Sequence, residues 1–318
     1  MPSRRPTLRL DLPILHPNRI GGALALNLGL AIALTAPGAA QSPAAEGLEI
    51  VVTTAVLGSV VADLVGDHAS VTVLMGTGVD PHDWAPSAQD IETLYAADLV
   101  VANGRDLEEG LHDALDEAAA NDVPVFEATD HITLRDLDQG AASPAPDDEH
   151  AGLDPHFWVD PVAMRQVVDA LAPVVGELGA DVTVRQADLD GRLDALDAEV
   201  RATVEAIPEA SRRLVTGHGS MGYYSDRYGF QLVGAIVPGL SSQGEVSAQE
   251  LAAISALIRD SGVGVIFTEI GTPQSVVDAI AAETGASVVA LPSHTLPSDG
   301  SYLTFIRDIT STIAGALS

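Results

Sequence analysis

There is no cysteine in the 318 residues of this chain. Its absence excludes disulfides, a thiolate metal site and a lipid-modified cysteine beside a cleavage point. There is no lysine either: all 15 basic residues are arginine, set against 45 acids, for a formal charge of −30. A surface this acidic repels nucleic acid and anionic membranes, so neither is expected as a partner. Long apolar runs are also missing, except near the N-terminus. There Arg4, Arg5, Arg9 and Arg19 precede the run Ile20 to Ala36, which ends in PGAAQS. Residues 1–40 thus have the layout of a secretory signal peptide, with Gly38 and Ala40 at −3 and −1. The run is short for a membrane span, although an uncut anchor is the alternative. SRRPTLR has the paired arginines of the twin-arginine export route, so Sec and twin-arginine export both stay open. Removing the four arginines and one acid (Asp11) of residues 1–40 leaves 11 arginines against 44 acids, a charge of −33. The expected product is exported to the periplasm or cell surface, without a lipid on cysteine.

What is present is an alternation of short β-branched runs and helical stretches, starting at Leu48. Residues 48–54, 70–75, 98–104 and 123–128 read as strands, with helices over 56–65, from Ser87, and over 106–120. The pattern restarts after residue 210, with strands at 212–217, 231–237, 263–270 and 286–291. SAQD at 87–90 and SAQE at 247–250 are capping boxes that open helices. Thr272 and Pro273 read as the cap and first turn of another helix, and a last helix begins near Ser301. Strands separated by helices pair in parallel through right-handed crossovers. The expected fold is α/β: two four-stranded parallel-sheet lobes, 47–180 and 208–318, around a ligand cleft. Between them, 181–207 is polar with Val184, Leu189, Leu193, Leu196, Val200 and Val204 at helical spacings. Such a helix spans roughly 40 Å, enough for a rigid strut. Residues 138–152 (DQGAASPAPDDEHAG) read as a mobile acidic loop.

Beyond the leader there are eight histidines: His68, His82, His112, His131, His150, His156, His218 and His294. Three of them follow predicted strands: His82 after 70–75, His218 after 212–217 and His294 after 286–291. Ligands of open α/β sheets bind outside the carboxyl ends of the strands, so these three converge on the cleft. His156 joins them through a repeated motif. DPHDW at 80–84 and DPHFW at 154–158 contain the only two tryptophans, Trp84 and Trp158. Proline before each histidine stiffens the backbone that presents the ring, the tryptophan can pack beneath it, and the aspartate can accept its other N–H. Two ordinary proline turns over buried tryptophans are the blander alternative. GHGSMG (217–222) superficially suggests a hydrolase nucleophile, but His218 stands where the elbow around Ser220 needs glycine.

These segments resemble the solute-binding proteins of zinc and manganese ABC importers, over nearly all of the chain from Leu48 onward. VDPHDWAPSAQDIETLYAADLVVANGRDLE (79–108), DPHFWVDP (154–161) and HGSMGYYSDRYG (218–229) are similar to that family's first three ligand segments. Ser220 and Met221 stand where alanine and an aromatic are more usual. The resemblance implies two α/β lobes joined by one rigid helix, with metal held between them by His82, His156 and His218. The loop 138–152 sits where zinc-selective members carry a histidine-rich segment; here it is acidic, with only His150. The family's usual fourth ligand is an aspartate in an Asp-x-Leu context, where this chain has His294-Thr295-Leu296. Either His294 replaces it or Asp299 reaches in, and His294 is favoured. Glu269, at a strand end, is either a partner of a ligating histidine or a turn contact.

Three imidazoles suit Zn2+, a borderline-soft ion that takes nitrogen tetrahedrally, better than Mn2+, which prefers more oxygens. The resemblance therefore implies capture of zinc and its delivery to an ABC-transporter membrane permease. The chain is expected to act as a monomer, with a zinc metallochaperone as a candidate loader. A manganese-binding protein and an extracytoplasmic zinc buffer or adhesin are the alternatives. A three-histidine zinc enzyme is the remote one, since no acid–base pair accompanies the ligands and a fourth ligand closes the position catalysis needs.

Overall fold

The computed structural model describes residues 47–135 and 153–318. The leader, the acidic loop 138–152 and His150 lie outside these residues. The first half runs β1 (Leu48–Thr54), α1 (Ala55–Val65), β2 (Ala69–Met75), α2 (Ala88–Tyr95), β3 (Leu99–Ala102), α3 (His112–Ala120) and β4 (Val125–Glu127). Its strands form one parallel sheet in the order β2-β1-β3-β4. Val52 of central β1 lies opposite Val73 on one side and Val101 on the other. Helices cover both faces of such a sheet, so its central strands are apolar throughout: Ile50, Val52, Val100 and Val101 are wholly buried.

The second half begins with two helices, α4 (Pro161–Glu177) and α5 (Thr183–Glu205). Then follow β5 (Arg213–Thr216), α6 (Gly222–Tyr228), β6 (Gln231–Ala235), α7 (Ala248–Ser261), β7 (Val265–Thr268), α8 (Gln274–Thr284), β8 (Ser287–Ala290) and α9 (Tyr302–Leu317). Its four strands are parallel, but they pair as β5–β6 and β7–β8 rather than in one continuous ladder. A register shift opposite Leu214 and Val215 leaves Val233 as an extra residue in β6. Val215 of β5 and Ile266 of β7 instead meet through their side chains in one apolar cluster.

Local chemistry explains most boundaries. Both capping boxes form: Ser87 with Asp90 opens α2, and Ser247 with Glu250 opens α7. Helix α4 was not anticipated from the sequence; Asp160 caps it by accepting from Val162 N–H, with Pro161 at the first position. The stretch expected to be helical from Asp106 becomes α-helix only at His112. Arg105 and Asp106 are left-handed, at φ 54° and 53°, and a tight turn over Glu109–Leu111 intervenes. Thr272 is not the cap of α8; its hydroxyl accepts from Glu269 N–H and braces the strand end.

Helix α5 is 23 residues long and buries Leu189, Leu193, Leu196, Val200 and Val204 as the periodicity predicts. Val184 departs from that stripe and is 83% exposed: five residues before Leu189, it falls on the opposite face of the helix, whereas Val182, seven before, is buried. The helix packs against α1, α4, α6 and α9. As a result, one apolar core runs from Ile50 and Leu99, through Leu193 and Leu196, to Leu214, Phe267 and Ile309. Among the described residues, no helix is long and apolar enough to cross a membrane.

Candidate metal site

The loops leaving the carboxyl ends of both sets of strands bring His82, His156 and His218 together. All three are at least 94% buried. His156 Nε2 lies 3.4 Å from His82 Nε2 and 3.2 Å from His218 Nε2. One nitrogen from each ring falls within 4.8 Å of the other two, spacing that lets one ion bind all three.

Each ring is held at its other nitrogen by a carboxylate. His82 Nδ1 is 3.2 Å from Glu109 Oε1, His156 Nδ1 is 2.8 Å from Asp154 Oδ1, and His218 Nδ1 is 3.1 Å from Glu269 Oε2. A carboxylate at Nδ1 fixes the tautomer with the proton there, which leaves the Nε2 lone pair free for a metal. The two DPHxW copies therefore work differently. Asp154 accepts from both the backbone N–H and the ring of His156. Asp80 accepts only the backbone N–H of His82, at 3.1 Å, and Glu109 takes the ring. The tryptophans also diverge. Trp158 packs against His156 and His294, with ring centres 5.2 and 5.3 Å away, and donates Nε1–H to Ser293 O. Trp84 instead joins the apolar cluster around Leu94 and Leu111.

The carboxylates are themselves engaged. Ser220 donates its hydroxyl to Glu269, which also accepts from His218 N–H. The serine suggestive of a nucleophile is thus a support for His218. Asp154 faces Arg135, and the missing side chain of Gly222 makes room for the pair: a Cβ there would stand 2.4 Å from Asp154 Oδ2. Burial pushes the Asp154 carboxyl up to about 7, against the pull of His156 N–H and Arg135. Burial also works against ionising Glu269, but the facing His218 outweighs it and holds the group down at about 2. At His218 burial disfavours the charged ring, and Glu269 more than compensates, raising its pKa. His156 is held well below the ordinary value by burial and by its two histidine neighbours.

His294 stands beside this triad. Its ring stacks 6.0 Å from that of His218, it is 7% exposed, and its Nδ1 lies 3.0 Å from Ser293 Oγ. Its Nε2 is buried without a hydrogen-bond partner. Burial and the neighbouring His218 lower its pKa. Asp299, the rival candidate, is exposed and occupied elsewhere: it accepts from Ser301 N–H and Thr304 Oγ1 at the start of α9. Sequence reasoning missed Glu109, which no motif marks; it meets His82 across 27 positions of chain, with left-handed residues at 104–106 between them.

Residues 50–316 match the family described as zinc-uptake complex component A, periplasmic. The chain belongs to this family. As a member of the zinc-uptake component A family it is a metal-binding solute-binding protein of ABC importers, not an enzyme. It is 29% identical over 321 residues to the zinc-binding protein TroA of Treponema pallidum, covering 93% of this chain and 97% of TroA. It is 28% identical over 278 residues to the manganese-binding lipoprotein MntA of Bacillus subtilis, covering 81% of this chain and 83% of MntA. The solved structure of the periplasmic zinc-binding protein TroA superposes with a TM-score of 0.73 at 26% identity, over 86% of this chain and 99% of that one.

Proposed function

We propose that this chain captures Zn2+ outside the cytoplasm and hands it to the membrane permease of an ABC importer. The observation that carries the reading is the convergence of three Nε2 atoms whose Nδ1 partners are all carboxylates. The donors facing the site are nitrogens, and the nearby carboxylates are turned to the rings behind them. That favours zinc over manganese, which needs more oxygens. His294 is the fourth ligand on this reading, supported by its buried, unpartnered Nε2. Asp299 then serves only the start of α9.

Residues 47–180 and 208–318 act as two lobes, and the helix within 181–207 is the strut between them. Residues 1–40 direct export, and the protein works as a monomer that a metallochaperone can load. Zinc-edge X-ray absorption tests the site: four light scatterers at about 2.0–2.1 Å, dominated by imidazole, are expected. A melting temperature raised as much by manganese as by zinc overturns the zinc assignment.

A further inference from the structure

His82 is gripped from the opposite half of the molecule through the carboxylate of Asp80. Asp80, in the loop after β2, accepts from His82 N–H with Oδ1 and from Ser242 Oγ with Oδ2, at 3.1 and 2.6 Å. Glu109, whose Oε1 holds the His82 ring, lies beside Ser241 of the facing loop. Ser241 and Ser242 are neighbours in the loop between β6 and α7, and Ser242 is 5% exposed. Gln243 supports both, with its N–H to Ser241 Oγ and its amide to Ser242 Oγ. Gly271, in the turn after β7, completes the seat. At φ 82° it needs no Cβ, and one built there would stand 2.3 Å from Asp80 Oδ2 and 3.0 Å from Ser242 Cβ.

Resting on the zinc-capture reading, we infer that Ser241 and Ser242 are positioning residues for His82, and that this clasp across the cleft sets how long the metal stays bound. His156 needs no such help, because its carboxylate Asp154 lies two residues away on the same loop. His218 and Glu269 likewise both belong to the second half. Among the described residues, His82 is the triad ligand with a supporting carboxylate, Asp80, that is hydrogen-bonded by the facing half. Separating the halves therefore withdraws support from His82 first, and a permease that pulls on the β6–α7 loop loosens that ligand before the others.

The test is zinc release into excess chelator, followed by stopped flow, beside association rates on the metal-free protein. Ser241→Ala/Ser242→Ala is expected to release zinc about ten- to a hundredfold faster, the usual weight of hydrogen bonds to charged groups, with the association rate changed less than threefold. Asp80→Ala is expected to do the same, and its effect should not add to that of the serine variant. Asp80→Asn is expected to recover slow release, since its oxygen still accepts from His82 N–H and its amide donates to Ser242 Oγ. Release within twofold of wild type in the serine variant, a loss confined to association, or simple additivity with Asp80→Ala overturns the clasp. Failure of the wild-type protein to bind one zinc overturns the capture reading instead, so the two outcomes are distinguishable.

Discussion

Glu269 and His218 carry opposite pKa shifts because they are one interaction, and that fixes the sign of the pH response. In the metal-free protein the raised His218 value contributes stability that is complete below its ordinary value, about 6.5, and is lost as pH climbs through the raised one. Glu269, depressed to about 2, contributes stability above its ordinary value, about 4.5, that is lost as pH falls toward 2. Zinc reverses the preference at His218, since it needs the Nε2 lone pair that a proton occupies. Apparent zinc affinity is therefore expected to fall as pH drops through and below about 6.5, with calorimetry in two buffers counting the displaced protons. A flat affinity from pH 7.5 to 5 contradicts an all-imidazole site. Replacing Glu269 or Asp154 with Ala should weaken zinc about ten- to a hundredfold, because each ring then loses the acceptor that orients it. His294→Ala should also weaken zinc, whereas Asp299→Ala should lower only helix stability; the reverse pattern makes Asp299 the fourth ligand.

At the scale of elements, α5 shows how helix face decides burial. Leu196 is fully buried in the core shared by α1, α4 and α9, so Leu196→Ala should destabilise by about 2–5 kcal/mol in urea titrations. Val184, five residues before Leu189, falls off that stripe and is exposed, so Val184→Ala should stay within about 0.5 kcal/mol of wild type. The difference lies in what each face meets. The same holds for residues 161–177. Pro173 within that stretch argues against a helix, but the core contacts of Met164, Val168 and Leu171 outweigh the lost backbone hydrogen bond.

At the scale of the whole molecule, the shared core matters more than the count of lobes. Residues of both halves, those of α5 and α9 included, form one continuous apolar cluster. Unfolding of the metal-free protein is therefore expected as a single cooperative transition, with calorimetric and van't Hoff enthalpies equal. Two separated transitions would show lobes that fold independently. Zinc should move that single transition upward without splitting it, by an amount that grows with the logarithm of free zinc.

The sequence by itself determined the class of fold, the parallel pairing and three histidines of one site. Strand and helix periods, capping boxes and a repeated Asp-Pro-His-x-Trp are local signals: strand ends deliver His82 and His218, and the repeated motif marks His156. Tertiary structure decided what local signals do not carry. It set which carboxylate reaches which ring, so that Glu109 serves His82 where Asp154 serves His156, although both motifs read alike. It divided the second set of strands into two pairs and turned Ser220 into a support for Glu269. It also brought Ser242 within 2.6 Å of Asp80 across 162 positions of chain. The physical reason is range: a capping box closes within one turn of helix, whereas a hydrogen bond between distant loops exists only once packing has fixed both.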